Sequence, residues 1–151
     1  ADRVIIRHCK AYENRTAGTH DGGGFDLDGG VTNSIIEHCE SWNNDGAGYL
    51  MWNYERAPFT LSGNIIRDCT STNDGRKHGY GAIHIGTSGE PIRDIWVRNC
   101  RVEQSPAPSG TPSCVWVGGK QNENIVFRGN TFTATGDVPE FVYEPGAAGV
   151  T

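Results

Sequence analysis

The sequence predicts an all-β chain wound into a coiled parallel solenoid of about five turns, and three observations carry that prediction. Glycine supplies 21 of the 151 residues, and Gly, Asn and Asp recur as turn formers along the chain. Hardly any stretch has helical spacing. Most telling, five segments repeat: Val4–Cys9, Ser34–Cys39, Asn64–Cys69, Ile95–Cys100 and Ile125–Asn130. Their last column falls at positions 9, 39, 69, 100 and 130, spacings of 30, 30, 31 and 30. A period of this size marks a stacked repeat architecture.

Each coil opens on an apolar pair such as Ile5-Ile6, Ile35-Ile36 or Ile65-Ile66, a short β-prone strand that closes on the repeating cysteine column. A second β-prone stretch follows: Phe25–Leu27, Tyr49–Met51, Ile83–Ile85, Val115–Val117 and Phe141–Tyr143. Turn formers bracket these stretches, among them Asp21-Gly22, Gly29-Gly30, Asn44-Asp45-Gly46, Asn73-Asp74-Gly75, Gly118-Gly119 and Pro145-Gly146. Each repeat therefore carries at least two strands. A two-strand unit cannot bury its apolar side alone, whereas like units stacked ~4.8 Å apart form one continuous core.

Charged residues make up 21% of the chain and the formal net charge is −5, which argues against a general nucleic-acid binder. Apolar runs of three or four residues, as in Val4-Ile5-Ile6, are too short for a membrane-spanning helix. The opening residues carry no basic segment followed by an apolar one. Strand-like sequence begins at once, as in a partial chain. Residues 1–151 are expected to form a single solenoid domain, possible fragment of a longer chain, with no capping helix at either end. Open strand edges there call for missing coils or self-association.

The stretch His20-Asp21-Gly22-Gly23-Gly24-Phe25-Asp26-Leu27-Asp28-Gly29-Gly30, with Asn44–Tyr49 and Asn73–Lys77, resembles the right-handed parallel β-helix of the pectate-lyase-like superfamily. It is most similar to secreted bacterial proteins built of parallel β-helix repeats. The resemblance implies an extracellular or cell-surface setting and a polysaccharide partner. It also implies that the column of Cys9, Cys39, Cys69, Cys100 and Asn130 points inward, where such folds stack asparagines in a ladder. Stacked cysteines have parallel Cβ vectors, a poor geometry for bridging, so they are expected as packed thiols. Cys114 lies outside the column and reads as a free core thiol. His8 and His38 read as exposed turn residues one coil apart. No Cys-x-x-Cys spacing supports zinc, and no metal site is assigned.

Strand alternation yields the candidate site. With Phe25 and Leu27 inside, Asp26 and Asp28 face out. Aligned with them are Leu50 and Trp52, His84 and Gly86, Trp116 and Gly118, Val142 and Glu144. Exposed tryptophans beside carboxylates and a histidine suit sugar rings and their hydroxyls. Asp26, Asp28 and His84 are the catalytic candidates, with Trp52, Tyr54, Trp116 and Lys77 for substrate. Alternatives stand beside each. Pro58-Phe59 could fold over Trp52 as a covering loop. The Asp pair, with Cα atoms ~6.8 Å apart, could be an acid/base couple, a Ca²⁺ site joined by Asp21 or Asp45, or solvated turn residues.

The column under Asp26 reads Leu50 then His84, and under Asp28 it reads Trp52 then Gly86. This departs from the stacked acidic calcium ligands of pectate lyases. The Asp-Asp and Gly-His-Gly signatures of polygalacturonases are absent as well. The expectation is therefore a polysaccharide-degrading protein. As a hydrolase, one Asp would protonate the leaving oxygen and the other activate water or attack, with His84 orienting them. As a lyase, Lys77 would abstract a proton. The alternatives are a non-catalytic module for glycan binding or adhesion and, last, a tailspike-like assembly protein.

Overall fold

The computed structural model describes residues 1–120, 122–144, 147 and 149–151. Pro145-Gly146, one of the expected turns, lies outside the described residues. Sixteen strands wind through five coils. The first coil holds β1 (Ile5–Arg7), β2 (Lys10–Tyr12) and β3 (Phe25–Asp28); the second holds β4 (Ile35–Glu37), β5 (Glu40–Trp42) and β6 (Tyr49–Asn53). The third comprises β7 (Leu61–Ser62), β8 (Ile65–Arg67), β9 (Thr70–Thr72) and β10 (Gly81–Thr87). The fourth comprises β11 (Ile92–Arg98), β12 (Arg101–Gln104) and β13 (Ser113–Val117), and the fifth β14 (Glu123–Arg128), β15 (Thr131–Ala134) and β16 (Phe141–Tyr143).

Three parallel sheets result, with strand orders β1-β4-β8-β11-β14, β2-β5-β9-β12-β15 and β3-β6-β10-β13-β16; β7 adds to the first by pairing with β11. Like residues of successive coils pair in register, as Ile6 with Ile36 and Ile36 with Ile66. One side of every strand faces a common core of Ile36, Ile66, Val97, Met51, Ile85 and Val117, all fully buried. Burying each such side chain contributes roughly 1.5–3 kcal/mol.

Each coil has a third strand beyond the two read from sequence. It was illegible because its inward residue is small or polar: Ala11, Ser41 and Ser71 stack before Val102 and Phe132 supply an apolar signal. The corner before this strand is a left-handed residue in every coil, namely His8, His38, Asp68, Asn99 and Gly129, with φ between 52° and 67°. Asn, Asp and Gly tolerate that region best. His8 and His38 stack with ring centroids 5.2 Å apart, while the cysteine after each corner turns inward.

All five cysteines are free, and all but Cys9 are buried. Cys39, Cys69 and Cys100 direct Sγ at the carbonyls of Ile6, Ile36 and Ile66 in the preceding coil, at 3.8, 3.7 and 3.9 Å. Asn130 Nδ2 donates to the equivalent carbonyl of Val97 at 2.9 Å. The thiol thus stands where the amide stands in the fifth coil, as a weaker donor of smaller volume. A thiol-reactive disulfide reagent should label one group per native chain, Cys9, and five after denaturation without reductant. Fewer than five in the denatured chain would reveal a bridge.

A second ladder, unforeseen from sequence, runs inside the corner after β2, β5 and β9. Asn14 N–H donates to Asn44 Oδ1 at 3.0 Å, and Asn44 N–H and Nδ2 donate to Asp74 Oδ1 at 3.1 and 2.8 Å. Ser71 Oγ donates to Asp74 Oδ2 at 2.5 Å. These bonds satisfy backbone groups that a tight corner would otherwise leave unpaired inside the solenoid.

Candidate functional site

The outer face of the β3-β6-β10-β13-β16 sheet carries the candidate site, because its register sets two columns of outward residues side by side. Asp26 pairs with Leu50, Leu50 with His84, His84 with Trp116 and Trp116 with Val142. Asp28 pairs with Trp52 and Trp52 with Gly86; Gly118 and Glu144 continue that column. The alignment drawn from strand alternation matches this register at each position.

Glycine shapes the floor. A Cβ on Gly86 would meet Trp52 Cζ3 at 2.6 Å and Trp116 Cζ3 at 2.8 Å. A Cβ on Gly118 would collide with the Trp116 ring as well. The two indoles therefore lie down over bare backbone rather than standing into solvent, with ring centroids 6.1 Å apart and tilted by 38°. They wall a cleft of about 430 Å³ together with Asp26, Asp28, Leu50, His84 and Glu144 from the sheet, and His20, Asp21 and Tyr80 from loops. That size and this mixture of aromatic and polar groups suit a small-molecule or oligomer site.

His84 sits at the centre, only 8% exposed. Its ring stacks on Trp116 at 4.0 Å with a 3° interplanar angle, and Tyr80 and Trp52 close on it at 5.0 and 5.8 Å. Burial lowers its pKa to about 3, so the imidazole is neutral at physiological pH. Nδ1 accepts the Gly81 N–H at 3.3 Å, which puts the ring proton on Nε2. His84 is thus a hydrogen-bond donor in the cleft and a poor general base.

The carboxylates behave differently. Desolvation by the cleft walls, helped by the like charges of Asp28 and Asp21, pushes Asp26 up to about 7 although its side chain still reaches solvent. Asp28 is also raised by desolvation, but the Gly29 N–H favours its charged form. Two neighbouring acids on one strand face therefore hold their protons unequally.

Three expectations are corrected by the side-chain positions. Lys77 is outside the cleft: Nζ donates to the carbonyls of Thr16 at 2.8 Å and Gly18 at 3.5 Å. Together with the Arg15–Asp45 ion pair at 3.2 Å and the Thr16 N–H to Asp45 bond at 2.9 Å, it ties down the loop that presents His20 and Asp21. A long flexible cation with two loop carbonyls in reach is held at that loop. Tyr54 packs over Gly29, beside the cleft rather than in its lining. The segment after β6 does not cover Trp52, because the Phe59 backbone settles on Gly30 and the Phe59 ring stays exposed.

Asp45, one imagined calcium ligand, is committed to Arg15 and Thr16. Among the described residues, no three His, Cys, Asp or Glu side chains converge to hold a metal ion. No helix among them is long and apolar enough to cross a membrane. His20 and Tyr80 were not foreseen as lining residues, since loop positions obey no alternation. The only signal for them was their place in the Gly-rich segments flanking the second-strand stretches. Leu50 and Glu144 stood in the aligned row without an assigned role.

No curated protein and no solved structure matches the chain. A family model described as the right handed beta helix region matches residues 1–138. With its five stacked parallel coils of about thirty residues, the chain belongs to the right-handed β-helix family.

Proposed function

We propose that this protein is a carbohydrate-active β-helix of the pectate-lyase-like kind, acting outside the cell or on its surface, and that its cleft hydrolyses a polysaccharide. The observation that carries this reading is the Asp26/Asp28 pair on the floor of an aromatic-walled cleft. Asp26, desolvated and without a cationic partner, is the proton donor to the leaving glycosidic oxygen. Asp28, ionised first, activates water or attacks the anomeric carbon. Trp52 and the part of Trp116 not stacked on His84 offer aromatic surface to sugar rings, and His84 Nε2–H offers a fixed donor to a hydroxyl.

A lyase mechanism has less support, because elimination needs a base and a positive group beside the substrate carboxylate. The one lysine suggested for that role, Lys77, is engaged with Thr16 and Gly18. A non-catalytic glycan-binding module is the second reading, favoured by the aromatic walls and by His84, whose neutral ring serves the cleft as a hydrogen-bond donor.

A depolymerisation screen tests the proposal. Pectin, alginate, xylan, fucan, glycosaminoglycan and chitosan are incubated with the protein, with and without Ca²⁺. Reducing ends and the ultraviolet absorbance of unsaturated uronates are both read. New reducing ends without absorbance, independent of Ca²⁺, are the expected result. Absorbance would replace the hydrolase by a lyase, and silence on every polymer would leave only the binding module.

A further inference from the structure

Resting on the carbohydrate reading, we propose that the cleft recognises a glycan bearing positively charged amino groups, an amino-sugar polymer, rather than a uronate or sulfated chain. Charge carries the amino-group assignment, and an open donor in the cleft marks the place as one an occupant can fill. Asp21, Asp26, Asp28 and Glu144 line the cleft, and neither Lys nor Arg is among its described lining residues. A concave site with one sign of charge and low-dielectric walls focuses its field on what enters, attracting cations and repelling polyanions. The uronate substrates typical of related folds would meet an acidic lining with neither Lys nor Arg among its described residues.

The open donor is the unused hydrogen of His84. This side chain is 8% exposed and lines the cleft, and Nδ1 is tied to the Gly81 N–H. Among the described residues no protein acceptor takes the Nε2 proton. That N–H is open to the cleft, where an occupant's hydroxyl or ring oxygen can replace water as its acceptor.

The layout adds direction. Asp26 and Asp28 stand on β3, and Glu144 continues β16, four strand spacings away, ~19 Å across the sheet. Carboxylates therefore mark both ends of a trough whose middle is Trp52, His84 and Trp116. A chain lying along the solenoid axis would pass over the indoles and place ammonium groups at the acidic ends. Glu144 Oε2 accepts the Gly119 N–H at 3.4 Å, a long bond that leaves its charge available.

Calorimetric titration with three hexamers tests this: β-linked glucosamine, its N-acetylated counterpart, and galacturonate. Glucosamine hexamer should bind at least about tenfold more tightly than the acetylated one, the scale of a close charge pair, and galacturonate should give no heat. Asp21→Asn and Glu144→Gln, checked for unchanged melting, should each weaken the glucosamine hexamer about fivefold or more and the acetylated hexamer by a smaller factor. Equal affinity for the acetylated hexamer, binding of galacturonate, or indifference to both substitutions would each overturn the amino-sugar assignment and leave the glycan reading intact. Absence of heat with all three overturns it too, and the broader polymer screen then decides the glycan reading separately.

Discussion

Asp26→Asn will lower glycan hydrolysis at pH 6 by about 10²–10⁴-fold, the usual worth of a general acid. Asn keeps the size and the outward position but has no acidic proton to give. Binding should survive, because the ring-stacking surfaces of Trp52 and Trp116 are untouched. Calorimetry beside turnover therefore separates a lost proton from a lost site. Asp28→Asn will cost a comparable factor, since the deprotonated partner disappears. It will also bring the Asp26 titration below about 7, because one of the two like charges raising it is gone. Carboxyl-resolved NMR titration reads that directly.

The pH profile follows from the same pair. Activity should rise as Asp28 loses its proton and fall as Asp26 loses its own near pH 7. The two limbs belong to the coupled pair rather than to either residue alone. An acid limb governed by His84 is not expected, because burial keeps that ring neutral down to about pH 3. Full turnover in both Asp variants would end the hydrolase reading and leave a binding module.

Asp74→Ala will destabilise the fold by about 2–4 kcal/mol, because it strands the Asn44 N–H and the Ser71 hydroxyl inside the solenoid. Asp74→Asn should behave in the opposite sense at neutral pH. An amide oxygen can accept the two Asn44 bonds, its NH₂ can donate to Ser71 Oγ, and the ladder then carries no buried charge. Asp74 is fully buried, and desolvation raises its pKa more than its hydrogen bonds lower it. The native state accordingly holds the Asp74 proton more tightly than the unfolded chain, so stability contributed by this group falls as pH rises through its native pKa. Asp26 acts with the same sign between its ordinary value of 3.8 and about 7.

Wild-type protein should therefore melt higher near pH 5 than near pH 8. Asp74→Asn should gain about 1 kcal/mol at pH 8, roughly 2–4 °C in a chain of this size, with the gain shrinking toward pH 4. A melting temperature that rises steadily from pH 5 to pH 8 would contradict this account of the buried acid.

How much of this was legible follows from where the signal lies. The cysteine column, the Ile-Ile pairs and the thirty-residue period depend on local chemistry repeated in register, so the solenoid, its coil number and the outward row of Asp26, Asp28, Trp52, His84 and Trp116 could be read from residue types alone. Alternation with period two assigns faces once a strand is recognised. The β2-β5-β9-β12-β15 sheet escaped because Ala11, Ser41 and Ser71 carry no apolar mark. The Asn14–Asn44–Asp74 ladder escaped because those residues read equally well as solvated turns.

Loops and side-chain torsions were beyond the sequence. Lys77 looked like a free base beside the His84 strand, yet a flexible four-carbon stem goes to whichever carbonyls the fold brings near, and residues sixty positions earlier supply them. Tyr54 and the Phe59 segment were drawn to Gly29 and Gly30 of the preceding coil rather than to Trp52, a choice set by contacts between coils. Sequence alone determined the architecture and the row of chemically capable groups, because both rest on periodicity. Tertiary packing alone decided which of them share a cleft, that His84 is neutral, and that Asp26 keeps a proton, because desolvation and long-range contact exist only once the coils are stacked.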